Sequence, residues 1–322
     1  MSTPRVHVIA LGGTIASTNS AAGTGVAPAV TGDELVAAVP QLASIASVTT
    51  EQLAQVGSAS LTPDILCQVA RAGLAAIDEG ARGVVVTQGT DTLEESAYLL
   101  SLLNARERPF VVTGAMRNPT LPGADGAANL LAAVSAAAHD GCARVRCLVA
   151  FNDELHDPLW VHKSHVASLA TFTSGPQAGP LGWVHEGDVR LGYHPEAGPL
   201  IAVPDASFPP IALIPATLGE DLRVLDSIAA AGYRGAVIDG VGGGHVHASA
   251  VERVAALAGE MPVVLASRTG SGHMLSQTYG YPGSEIDLLG RGLLSAGPLS
   301  GRKARLLLGL LIANDTVGAW PY

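Results

Sequence analysis

Two short polar loops carry the residues of this sequence best suited to chemistry. One is Gly12-Gly13-Thr14 and the other is Gln88-Gly89-Thr90-Asp91-Thr92, which sets a hydroxyl beside a carboxylate. A threonine hydroxyl is a weak nucleophile at neutral pH and works only beside a base or a polarising neighbour. Two threonine loops facing one another would supply both parts. Plainer readings exist for each. Asp91 is a good N-cap for a following helix, and Thr92 could share that duty. Gly12-Gly13 could be a structural turn or a phosphate cradle. However, the third glycine of a dinucleotide fingerprint is missing, no P-loop Lys-Ser/Thr follows, and no acidic residue closes an obvious second strand to hold a ribose.

The elements around these loops would place them where ligands bind. Residues 5–11 (RVHVIAL) read as a first strand, with GGTIAS as the loop after it. Within residues 83–87 (GVVVT), Val84, Val85 and Val86 form an apolar β-branched run, the pattern of a parallel strand buried on both faces. A helix over 92–105 follows, with Leu93, Ala97, Leu100 and Leu103 on one face and Glu94 and Glu95 in its first turn. Both loops therefore follow the C-terminal ends of strands, the ligand-binding edge of open α/β sheets.

The rest of the chain repeats this alternation. A mobile loop is expected over 18–30, a helix ending at Pro40, and a short strand from Val48 leading to a polar turn at Gly57-Ser58. A helix over 62–80 has Thr62 as N-cap and Pro63 in first position. Strands over 109–113 and 145–151 flank a helix near 123–139, and 181–194 reads as a hairpin turning at Glu186-Gly187-Asp188. The fold class is α/β: a larger N-terminal, doubly wound, mostly parallel sheet domain over 1–193. A Pro/Gly/Ala-rich linker over 194–210 leads to a smaller C-terminal α/β domain over 211–322. That domain should have strands near 211–215, 235–239 and 262–266, and helices near 219–231, 248–259 and 302–314.

Composition narrows the partners. At 322 residues the chain can bury a large core, and its net charge of −10 argues against nucleic acid or an anionic membrane. Cys67, Cys142 and Cys147 are an odd number at spacings of neither a zinc motif nor a disulfide framework, which suits a reducing, cytoplasmic setting. The apolar run over 6–11 is broken by Gly12-Gly13 too early for a signal peptide, and the longest candidate span, 306–313, is too short to cross a bilayer. His156, His162 and His165 cluster around Lys163, and His245 and His247 sit by a glycine-rich turn, but no zinc-site pattern fixes their geometry. Neither a metal nor a cofactor is expected.

The motifs LGGTIA (11–16), AVPQL (38–42), GVVVTQGTDTLEESA (83–97), GAMR (114–117) and GRKARLLLGLL (301–311) together resemble the bacterial L-asparaginase/glutaminase family. The resemblance covers essentially the whole chain. It implies hydrolysis of the side-chain amide of L-asparagine to L-aspartate and ammonia through a threonine acyl-enzyme. By position, Thr14 would be the nucleophile, with Thr90, Asp91 and Lys163 as the supporting proton relay. Ser58 would hold the substrate α-carboxylate and Asp91 its α-ammonium. Glu285, read on the residues alone as a solvated surface side chain, would by resemblance reach the ammonium from a neighbouring subunit of a homodimer or homotetramer.

Several positions depart from the family pattern. Leu11 stands where threonine is frequent, Gln88 where histidine is usual, Ala59 where glutamine is common and His245 where many members carry asparagine. Residues 20–28 hold no tyrosine to serve as the lid residue. These departures leave open a related amidase acting mainly on glutamine or D-asparagine, and a non-catalytic amino-acid-binding protein on the same scaffold. The related amidotransferase subunit that acts on misacylated tRNA carries an extra N-terminal domain, whereas here the first strand is expected within a few residues of Met1.

Overall fold

A computed structural model describes residues 3–19 and 25–322. The chain divides into two compact units, Met1–Val203 and Pro204–Tyr322.

The first unit is built on one eight-stranded sheet. Its elements in chain order are β1 (Arg5–Gly12), β2 (Ser17–Asn19), β3 (Val26–Pro28), α1 (Gly32–Ala37), β4 (Ser47–Val56), α2 (Pro63–Asp78), β5 (Gly83–Thr87), α3 (Leu93–Leu103), β6 (Phe110–Thr113) and α4 (Gly126–Ala138). Then come β7 (Cys147–Phe151), β8 (Glu154–His156), β9 (His162–Lys163), β10 (Phe172–Thr173), α5 (Gly175–Ala178), β11 (Gly182–His185) and β12 (Asp188–Leu191). The large sheet runs β12-β11-β8-β7-β6-β5-β1-β4. From β4 to β7 every pairing is parallel, and β8, β11 and β12 add an antiparallel edge.

Why the apolar runs become central strands is visible in their burial. Val84, Val85 and Val86 all have no exposed surface, so helices must cover both faces of β5. Val85 joins Val111, Leu148 and the alanines of α4 in one cluster. On the other face α2 lies so close that a Cβ on Gly73 would strike the Phe110 ring. Each fully buried valine contributes roughly 1.5–3 kcal/mol relative to exposure. After β1 the chain pairs on one side (β4) and then crosses to the other (β5), so the strand order reverses between β1 and β5. The two threonine loops leave the sheet at this switch point.

The second unit holds a four-stranded parallel sheet, β13 (Ile211–Pro215), β14 (Gly235–Gly240), β15 (Val263–Ser267) and β16 (Leu294–Ser295). Helices α6 (Val251–Glu260), α7 (Glu285–Gly290) and α8 (Gly301–Ala313) complete it.

Some local expectations differ from the structure. The loop expected over 18–30 includes paired strands, with Ser17 opposite Pro28 and Thr18 opposite Ala27, while residues 20–24 lie outside the described residues. The strand before Gly57 is long, running the ten residues of β4. No α-helix spans 219–231. Glu220 and Asp221 accept from the backbone N–H of Leu222 and Arg223, and Leu222 is left-handed (φ 52°), which leaves only a 3-10 turn at Arg223–Ser227.

Candidate active site

The first threonine loop is set by glycine. Gly12 and Gly13 have φ of 95° and 81°, and the Gly13 N–H donates to the Val56 carbonyl at 3.0 Å. A Cβ on Gly13 would run into the backbone of Gly89. The two loops therefore touch through their glycines, one residue before Thr14 in one loop and one residue before Thr90 in the other. Thr14 opens a 3-10 turn and is half-buried, and Thr90 is buried. Behind them, a Cβ on Gly89 would stand 2.8 Å from the Ser58 hydroxyl.

Ser58 and Lys163 fix the second loop. The Asp91 N–H donates to Ser58 Oγ at 3.1 Å, Ser58 Oγ lies 3.3 Å from Asp91 Oδ2, and Thr92 Oγ1 donates to the Ser58 carbonyl at 3.0 Å. Lys163 Nζ donates to Thr90 Oγ1 at 2.9 Å and to Asp91 Oδ1 at 2.8 Å. The lysine hydrogen bond, followed by its charge and the Ser58 hydroxyl, holds the Asp91 carboxyl below its usual range against a smaller opposing effect of burial. The Lys163 side chain is 16% exposed whereas that of Asp91 is 68% exposed, so this ion pair has one foot in solvent.

Thus Ser58, Thr90, Asp91 and Lys163 form one hydrogen-bonded group, and Thr14 stands on the loop that touches it. Glu285 lies in the second unit with no exposed surface, which corrects the reading of a solvated side chain. Its Oε1 accepts from the N–H groups of Thr278 (2.9 Å) and Tyr279 (2.7 Å), and its Oε2 pairs with His245 Nε2 at 2.9 Å. Burial pushes this carboxyl up, but the backbone donors and His245 together outweigh it and leave the group lowered. His245 Nδ1 in turn meets the Tyr281 hydroxyl at 2.8 Å.

The histidines near Lys163 have separate partners. His156 is buried with Nδ1 3.0 Å from Ser174 Oγ. Its Nε2 lies 3.3 Å from a Glu154 oxygen without hydrogen-bond geometry. Desolvation, aided by His162, lowers its pKa to about 4. His165 Nδ1 accepts from the N–H groups of Ala167 and Ser168.

One site residue escapes a sequence reading. Glu94, which looks like ordinary helix-start chemistry, is 2% exposed and accepts from the Lys163 backbone N–H. Nothing in its spacing separates it from Glu95.

Comparison with known proteins agrees across both units. Residues 5–197 match the family model for the asparaginase N-terminal domain, and residues 210–318 match that for the glutaminase/asparaginase C-terminal domain. The chain is 35% identical over 322 residues to a probable periplasmic L-asparaginase of Haemophilus influenzae, covering 97% of this chain and 89% of that one. It is 34% identical over 319 residues to L-asparaginase 2 of Escherichia coli, with the same coverage of 97% and 89%. A crystal structure of a probable cytoplasmic L-asparaginase from Campylobacter jejuni superposes with a TM-score of 0.87 at 29% identity, covering 98% of this chain and 96% of that one.

Proposed function

The chain belongs to the asparaginase family, and from that premise we propose that it hydrolyses the side-chain amide of L-asparagine to L-aspartate and ammonia through an acyl-enzyme on Thr14. The observation that carries this reading is the bond from Lys163 Nζ to both the Thr90 hydroxyl and the Asp91 carboxylate, beside the loop of Thr14. In this account Thr14 Oγ attacks the amide carbonyl carbon. Its C–N bond breaks, ammonia leaves with the proton that Thr14 gives up, and water then cleaves the ester to restore the hydroxyl. The proton travels by way of Thr90 and Lys163, which can accept it only as the free amine. Asp91, largely exposed and ionised, also suits the substrate α-ammonium, and Ser58 suits its α-carboxylate. A substrate carboxylate at Ser58 would compete with Asp91 for the hydroxyl proton.

Glu285 is proposed to complete the site of a neighbouring subunit in a homodimer or homotetramer, while within its own chain its carboxylate holds His245 and, through it, Tyr281. Self-association as a homodimer or homotetramer stays within the reading, as does a cytoplasmic setting. Among the described residues no helix is long and apolar enough to cross a membrane.

Ala59, exposed next to Ser58, favours one variant of this reading, a related amidase with glutamine or D-asparagine as main substrate. Ammonia release from L-asparagine, L-glutamine and D-asparagine, at several protein concentrations, tests substrate and assembly together. L-asparagine is expected to be fastest, and equal rates on glutamine would defeat the asparagine-selective form. Thr14→Ala should lose several powers of ten in kcat while remaining folded. Melting shifts with these amino acids but no ammonia from any of them would point to a binding protein instead.

A further inference from the structure

The lysine at the centre of the candidate site sits on a poorly supported strand. β9 is two residues long, pairs with the two-residue β10, and lies in neither large sheet. β10 is held by Phe172, which packs on Phe151 of β7 with ring centroids 4.8 Å apart. Lys163 itself has four rotatable side-chain bonds between its main chain and the amine. A relay through that amine needs both ends of the side chain fixed, because a displacement of about 1 Å can cost on the order of 100-fold in rate.

We propose that Glu94 is the positioning residue that fixes the main-chain end of Lys163, its carboxylate oxygen gripping the Lys163 N–H. Glu94 stands in the first turn of α3, the helix that starts where the Thr90 loop ends, and it is almost fully enclosed. Lys163 Nζ bonds Thr90 and Asp91, and Lys163 N bonds Glu94. Both ends of the lysine are therefore tied to one five-residue stretch, 90–94. The strand that carries the base is aligned by the same helix start that carries its hydroxyl partner. This inference rests on the reading of Lys163 as part of the proton relay. A plainer role is available, since a carboxylate in a first helical turn also stabilises the helix dipole. That role depends on charge, whereas gripping an N–H depends on reach.

Charge and reach are separable by substitution. Glu94→Gln keeps an acceptor oxygen at the same distance without the charge, and Glu94→Asp keeps the charge but falls one methylene short. With L-asparagine, Glu94→Gln should keep kcat within about threefold of wild type. Glu94→Asp should lose about 10- to 100-fold in kcat with KM changed less than about threefold. In a Lys163→Met background, adding Glu94→Asp should alter the residual rate by less than about twofold, because the two residues act through one contact. Hydrogen exchange at the Lys163 amide supplies a readout independent of turnover: slow in wild type and Glu94→Gln, and at least about tenfold faster in Glu94→Asp. A Gln variant as impaired as the Asp variant would overturn the proposal. So would an Asp penalty that persists without Lys163, or amide exchange that does not respond. A wild-type protein that releases no ammonia sinks the proposed function, while amide exchange still decides the grip.

Discussion

Asp91 carries opposite demands. In the proposed mechanism it must pair with Lys163 and yet remain open to a ligand, and its 68% side-chain exposure beside a 16%-exposed lysine is compatible with both. Because the hydrogen bond from Lys163 depresses its pKa, the pairing is complete above the ordinary carboxylate range and is lost as pH falls through the lowered value. In the Lys163→Met variant the Asp91 carboxyl, followed by ¹³C NMR, should titrate higher, back toward about 3.9. An unchanged midpoint would mean that the ammonium is not what holds it down. At Glu285 the fold adds what position alone does not show: the backbone donors at 278 and 279 and the His245 ring engage its two oxygens within the second unit.

At the scale of elements, β8 adds the antiparallel edge and carries His156 into the interior as a neutral ring. The unfolded chain binds a proton at this side chain near pH 6.5 but the native one only near 4, so the unfolded state holds more protons across that window. Stability should therefore drop as pH falls from about 6.5 to about 4, by on the order of 3 kcal/mol from this residue. Urea unfolding of wild type and His156→Gln across that range checks it, the variant losing less. What the sequence made legible follows element size and burial. The apolar runs of β5 and β13 could be bounded to the residue, and in β5 full burial on both faces leaves no alternative to a continuous apolar strand. Thr62, Pro63 and the chemistry before α1 gave helix starts, and Thr62 Oγ1 does accept from Ile65 N. Two-residue strands such as β9 have no period to detect, and α7 was hidden in a Pro/Gly-rich stretch. The loop residues of the candidate site were legible because hydroxyls, a carboxylate and glycines stand together after strands. The Lys163–Thr90 contact joins residues 73 positions apart, a grouping that the family resemblance implied but that no spacing or pattern in the residues themselves carries.

For the molecule as a whole, each unit has its own apolar core, and the three thiols are closed inside the first. Burial raises Cys67 to about 11 and Cys142 to about 12, and pushes Cys147 higher still. A disulfide reagent at pH 8 should therefore label none of them within minutes in the native protein and all three once it is unfolded. Rapid native labelling would show that the first unit opens readily. The family models matched on both units, the TM-score of 0.87 and the threonine loops meeting at the sheet's switch point support the proposed acyl-enzyme chemistry. Its most direct test is rapid acid quench of the protein during turnover of L-asparagine, followed by peptide mass analysis. The account predicts an aspartyl ester on the peptide bearing Thr14, absent in Thr14→Ala. An ester on Thr90 instead, or turnover undiminished in Thr14→Ala, would contradict it.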